Sequence, residues 1–139
     1  MQHIRPKTTE WFTYFPEDYR WSAAIGGMLG LAVVGASDMG EIDRTARKLK
    51  NKLGDDEAWF FTWQELGDEL KQKADDCRNR GHTISASVFY LRASCYYQWG
   101  ERFRTVKDDH ALNVYRKSVE CFHEHAQLSM SPKIEVVEV

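Results

Sequence analysis

Apolar positions recur at helical spacing along most of the chain, and the pattern predicts five helices. The densest stretch is Thr83 to Trp99, TISASVFYLRASCYYQW. Ile84, Val88, Leu91 and Cys95 make one stripe on it. Ala86, Phe89, Tyr90, Ala93, Tyr96 and Tyr97 make a second, broader one. A helix that is apolar almost all round is normally buried between neighbours. Gly81 can end the helix before it, and Thr83 can cap it. The expectation is a central helix in an all-α unit.

The other elements follow from the same reading. A first helix is predicted from Tyr19 or Arg20 to about Val34, with Pro16, Glu17 and Asp18 suiting its start. Gly26, Gly27 and Gly30 weaken it, so close approach of a neighbouring helix, or room for a ligand, is expected there. Asp38 with Glu41 fits a capping box for a second helix, which turns Ile42, Ala46 and Leu49 inward and stops at Gly54. Asp55 or Asp56 starts a third, to about Arg80, with Trp59, Trp63, Leu66, Leu70, Ala74 and Cys77 as its stripe. With the central helix it makes an αα-hairpin. A polar connection, Gly100 to Asp109, leads to a last helix from about His110 to Leu128, with Ala111, Tyr115, Val119, Phe122 and Ala126 expected inward. The ending KIEVVEV is strand-like, and a lone strand needs a partner for its backbone groups.

The arm before the first helix holds Trp11, Phe12, Tyr14 and Phe15, with Tyr19 just beyond, too many aromatics for a solvated tail. Packing on the edge of the core is the simpler expectation; lining a cavity or a subunit contact is the other. The run Ala23 to Ala36 is too short to span a membrane, which takes roughly 20 apolar residues. It reads as a buried helix rather than a signal peptide, since an aromatic, acidic segment precedes it.

Composition changes the picture little. The 139 residues suffice for one domain with a core, and 42% hydrophobic with 29% charged is ordinary globular composition. A net charge of −2 implies no basic face, so nucleic acid is not an expected partner. Cys77, Cys95 and Cys121 are odd in number and lack a C-x-x-C pair, which suits free thiols in a reducing, cytoplasmic setting.

Several constellations of residues invite a chemical reading. Gly35-Ala36-Ser37-Asp38-Met39-Gly40 approaches a G-x-S-x-G elbow, but methionine stands where the last glycine belongs, so a helix-capping serine is the better reading. His123 and His125 point to different helix faces, and Cys121 with His125 lacks further ligands, so no metal is expected. Arg92, inside the apolar helix, needs an acid on a neighbouring helix or a way to solvent. The aromatic tips of Trp59, Trp63, Tyr90, Tyr96, Tyr97 and Trp99 suit a core, and suit an aromatic ligand as well.

A family resemblance rests on these residues: Trp59 and Trp63, then Gly81, then Ser85, Ala86, Phe89 or Tyr90, Arg92, Ala93, Tyr96 and Tyr97. The stretch resembles the N-terminal helical domain of α/β-hydrolases of the 2,6-dihydroxypseudooxynicotine hydrolase type and of fungal polyketide-shortening hydrolases. The likeness covers roughly residues 10–139. It implies a helical cap over an active site, with KIEVVEV similar to the first strand of the hydrolase sheet. The organisation it implies is an aromatic arm at 1–18, a helical cap at 19–131 and the first strand of an absent hydrolase domain at 132–139. The implied reaction of the complete protein is hydrolysis of a C–C or ester bond in an aromatic ketone or polyketide-like substrate, without a cofactor. The family's triad has no counterpart here, so no catalytic residue is assigned.

Substrate-pocket candidates are Tyr14, Trp21, Met28, Trp59, Trp63, Tyr90 and Tyr97. Expected partners are the α/β-hydrolase catalytic domain, an aromatic small molecule and a second copy in a homodimer; nucleic acid and membrane are not. A lone TPR-like hairpin for protein interaction, or a free-standing small-ligand binder, is the competing class.

Overall fold

Every helix but one begins where an aspartate accepts a backbone N–H of the first turn in the computed structural model, which describes residues 12–139. Asp18 caps α1 (Tyr19–Gly30) and Asp38 caps α2 (Met39–Ala46). Asp55 caps α3 (Asp56–Asn79) and Asp108 caps α5 (Asp109–Leu128). The exception is α4 (Thr83–Glu101): Thr83 is its first helical residue, and His82 before it makes no side-chain cap bond. The reason is the turn. Gly81 takes φ +78, and His82 N–H returns 2.8 Å to the Cys77 carbonyl, so the chain reverses and re-enters helix at once. Short 3-10 turns, Leu31–Val34 and Arg47–Leu49, extend α1 and α2. The fold is all-α, with five helices and no strand among the described residues.

α3 and α4 form the long antiparallel hairpin, and α5 packs along α4 in turn. The predicted α3 stripe is buried from Trp59 through Ala74, with Cys77 at its edge. Two glycines let the hairpin close. A Cβ on Gly67 would lie 2.6 Å from the Tyr97 ring, and one on Gly100 would lie 2.8 Å from the Trp63 Cβ. The seated rings then find polar partners: Tyr97 Oη donates to Asp68 (2.6 Å), Tyr90 Oη to Asp75 (2.5 Å) and Trp59 Nε1 to the Trp99 carbonyl (3.0 Å). Lys117 on α5 shares Asp68 at 2.7 Å. Burial pushes the Asp68 carboxyl up, but Lys117 and Tyr97 outweigh it and hold the group below its ordinary value.

α1 and α2 lie against the remaining side of the hairpin. Trp21 meets Trp59 at 4.9 Å between rings and donates to Asp56, which also pairs with Arg20. Ile42, Ala46 and Leu49 are buried as predicted. In the α4–α5 connection, Arg104 is buried over the Phe60 ring and grips Glu57 and Asp108, fixing the starts of α3 and α5.

Four expectations are corrected. On α5 the inward stripe is Ala111, Val114, Ser118 and Cys121, with Ala126 also buried; Tyr115, Val119 and Phe122 face outward. Small residues win the contact because Ser118 and His125 bond directly to α4, drawing the helices close. On α4, Ile84 is 80% exposed and Val88 is exposed, since α1 and α2 cover only the C-terminal part of that helix. Of the α1 glycines only Gly27 is closely approached, by Trp99; Gly26 and Gly30 face open space. Ser37 is no cap: its Oγ donates to the Met28 carbonyl while Asp38 does the capping.

The arm residues within the described part pack on the core edge through Phe15, while Phe12 and Tyr19 are exposed. Trp11 lies outside the described residues. Lys133–Val139 joins no ladder and is exposed along most of its length. No helix among the described residues is long and apolar enough to cross a membrane.

The glycines make the packing testable. Gly67→Ala should cost about 1–2 kcal/mol, the overpacking loss exceeding the gain in helix propensity. Gly26→Ala should instead stabilise by about 0.5–1 kcal/mol. Urea denaturation of both variants checks the contrast; equal effects would mean that Gly67 is not a packing notch.

Candidate functional site

Rings in contact run from the arm into the core: Tyr14, Phe15, Trp21, Trp59, Trp63 and Tyr96, each centroid 4.9–5.8 Å from the next. Five of the seven pocket candidates, Trp21, Met28, Trp59, Trp63 and Tyr97, have no exposed surface and serve as packing. The other two edge cavities.

Tyr14 lines an apolar cleft of about 400 Å³ together with Phe12, Leu29, Met39, Gly40, Ile42 and Asp43. A cleft of this size and lining suits a small aromatic molecule. Its polar corner is the Tyr14 hydroxyl, which donates to Asp43 at 2.6 Å. Burial, reinforced by the Asp43 carboxylate, pushes the Tyr14 phenol up to about 12, so it remains a neutral donor. The Tyr14 bond in turn holds Asp43 below the ordinary carboxylate range. Tyr90 edges a different cavity of about 210 Å³, with Lys71, Asp75, Arg78, Glu120, Cys121 and Glu124. That lining is charged and already paired, Lys71 with Asp75 and Arg78 with Glu124, which makes it a helix-crossing crevice ill suited to an apolar ligand.

Between α2 and α4 lies a polar knot. The Tyr96 hydroxyl accepts the Asp38 N–H (2.9 Å) and donates to Glu41 (3.0 Å), while Asp38 caps the Glu41 N–H. The capping box is thus closed through a side chain 55 residues away from Glu41. Arg92 supplies the countercharge, 3.6 Å from Glu41 and 3.9 Å from Asp38, with its guanidinium over Phe89. Its expected acid on a neighbouring helix is therefore found. Burial raises the Glu41 carboxyl despite Arg92, and burial likewise raises the Tyr96 phenol.

Serine and histidine do meet once. Ser87 Oγ lies 2.9 Å from His125 Nδ1, and the same nitrogen is 3.0 Å from the Ser87 carbonyl. No carboxylate orients His125 among the described residues, and Ser87 lies in mid-helix, where backbone N–H groups are committed. The pair stitches α4 to α5. Cys95 and Cys121 are pushed up to about 12 by burial, away from thiolate chemistry. Among the described residues no three His, Cys, Asp or Glu side chains converge on a metal position.

Sequence reasoning missed Leu29, Met39 and Asp43 in the cleft, and the acids that serve Tyr90, Tyr96 and Tyr97. Tyr14 and Asp43 are 29 residues apart, with no local spacing to join them. The tyrosines themselves were the available signal, since each buried hydroxyl demands a partner.

Tyr96→Phe should cost about 1–3 kcal/mol, because it strips the half-buried Asp38 N–H and Glu41 of their partner. Tyr19→Phe, at an exposed site, should stay within about 0.5 kcal/mol of the parent. Thermal melts compare the two; a neutral Tyr96→Phe would show that the knot adds nothing to stability.

No family model matches the chain, and no solved structure gives a significant match. Curated fungal proteins do. Hydrolase acrC of Aspergillus aculeatus is 29% identical over 98 residues, 70% of this chain and 22% of that protein. Alpha/beta hydrolase ucsC of an Acremonium species is 26% identical over 137 residues, 92% of this chain and 27% of its own length. Hydrolyase poxO of Penicillium oxalicum is 34% identical over 71 residues, 51% of this chain and 16% of its own. The chain thus spans about a quarter or less of the length of the relatives it matches. These likenesses support an α/β-hydrolase-related family for the chain.

Proposed function

We propose that the chain acts as the helical cap of an α/β-hydrolase, covering an active site built on another domain and shaping the pocket above it. The observation that carries this reading is the length relation. An alignment over 92% of this chain takes up only 27% of a protein named as an α/β-hydrolase. The character of the aligned part agrees. Tyr14, Tyr90, Cys95 and Cys121 are pushed toward their neutral forms by burial, and the Ser87–His125 pair lacks an orienting acid among the described residues. Such a unit contributes shape and water exclusion rather than a nucleophile.

In the complete enzyme the reaction is hydrolysis of a C–C or ester bond in an aromatic ketone or polyketide-like substrate, by a serine outside these residues. The apolar cleft with its neutral Tyr14 donor is consistent with aromatic ligands.

The test uses the natural protein that carries this sequence. A fluorophosphonate probe should label one serine, mapped by mass spectrometry outside residues 1–139, and labelling should abolish cleavage of aromatic ketone and ester substrates. Labelling of Ser37 or Ser87 would overturn the reading, as would a protein lacking any reactive serine.

A further inference from the structure

We propose that the outward face of the α4–α5 pair is where the α/β-hydrolase domain docks. The inference rests on the cap reading and adds to it the surface involved. The face is made by Ile84 and Val88 on α4 and by Leu112, Tyr115, Val119 and Phe122 on α5, all of them exposed. Single exposed apolar side chains mean little, but these fall at steps of three and four, the spacing of a stripe built for contact.

The two stripes lie on the same side. Ser87 meets His125 and Ser94 meets Ser118, which sets the antiparallel register of the pair. On α4, Tyr90 and Tyr97 point to acids on α3; on α5, Lys117 and Glu124 reach α3 partners. Helical geometry then turns both apolar stripes away from α3, onto one uncharged strip. On α5 it runs from Leu112 to Phe122, about 15 Å at 1.5 Å per residue. The helix ends at Leu128, level in this register with Ile84.

That end argues for the occupant. Residues beyond α5 start level with Ile84 and expose Met130, Val136, Val137 and Val139 alongside Lys133, Glu135 and Glu138, so a strand-like tail with unpaired backbone begins at the end of this face. A sheet domain that takes up the tail as a strand is tethered within a few residues of this face. The relatives, named as hydrolases and several times longer than the matched stretch, carry the mass for such a domain. A second copy seated on the α5 stripe would leave the tail uncovered; a hydrolase domain covers both.

Hydroxyl-radical footprinting of the natural full-length protein tests this, with internal references. Tyr19 and Phe12 are at least as exposed as Tyr115 and Phe122 in this chain. If the hydrolase domain docks here, Tyr115 and Phe122 should be modified roughly fivefold less than those references, as for side chains passing into an interface core. Equal modification would overturn the docking face; the cap reading would survive it if the fluorophosphonate-labelled serine lies beyond residue 139. Protection that disappears on dilution to monomer would assign the face to a second copy and overturn the proposal too. A protein with no serine hydrolase domain would remove the cap reading itself, and the labelling experiment detects that separately.

Discussion

The rotation of α4 about its own axis is the constraint on which the rest of the molecule depends, and two glycines hold it. Gly67 and Gly100 leave room where the Tyr97 ring and the Trp63 side chain must cross the opposing backbone. Once those are seated, Tyr97 reaches Asp68, Tyr90 reaches Asp75 and Trp59 reaches the Trp99 carbonyl, and each bond resists a turn of the helix. Everything else α4 does follows from that angle. Tyr96 is carried into the cap of α2, Ser87 and Ser94 are presented to α5, and Ile84 and Val88 are left outside.

The tyrosines show how a helix apolar on most sides can be buried on several without leaving stranded polar groups. Each ring supplies area, and each hydroxyl meets a carboxylate: Asp43, Asp75, Glu41 and Asp68 for Tyr14, Tyr90, Tyr96 and Tyr97. Burial, reinforced by the accepting carboxylates, pushes the Tyr14, Tyr90 and Tyr97 phenols up, so they remain donors. Interlocked pairs of this kind specify one arrangement of the helices more than they add stability, because the hydroxyls would also be satisfied in water.

Helix existence and order were legible, since apolar spacing, aspartate caps and Gly81 all act locally. The α3 stripe of Trp59, Trp63, Leu66, Leu70 and Ala74 was legible for the same reason. What could not be read was which of two apolar stripes faces inward when a helix has both. On α5 the larger residues Tyr115, Val119 and Phe122 looked like core, yet Ser118 and Cys121 occupy it, because two serine hydroxyls and His125 set the interhelix contact. The cleft was half legible. Tyr14 was among the candidates, but Leu29, Met39 and Asp43 come to it only through the docking of α1 and α2 on the hairpin. Trp21, Trp59 and Trp63 were candidates for a pocket because a ring suited to a ligand is equally suited to a core, and the sequence carries no mark that separates the two.

A lid over an active site needs two properties that pull against each other. It must be stiff enough to exclude water and hold a pocket shape, and it must keep an apolar surface uncovered for the domain it serves. Under the proposed cap role, the two fall on different parts of the same helices. Stiffness comes from the α3-facing sides of α4 and α5, where the tyrosine–carboxylate bonds and the Lys117 and Arg78 ion pairs lie. The uncovered surface comes from the opposite sides, where Ile84, Val88 and Phe122 make no such bonds. Had the large α5 residues been core, as their size suggests, the interior would gain area and the outer face would become polar. A helical unit of that kind would be complete by itself. The one observed is closed on one side and open on the other among the described residues, the asymmetry that the proposed cap role calls for.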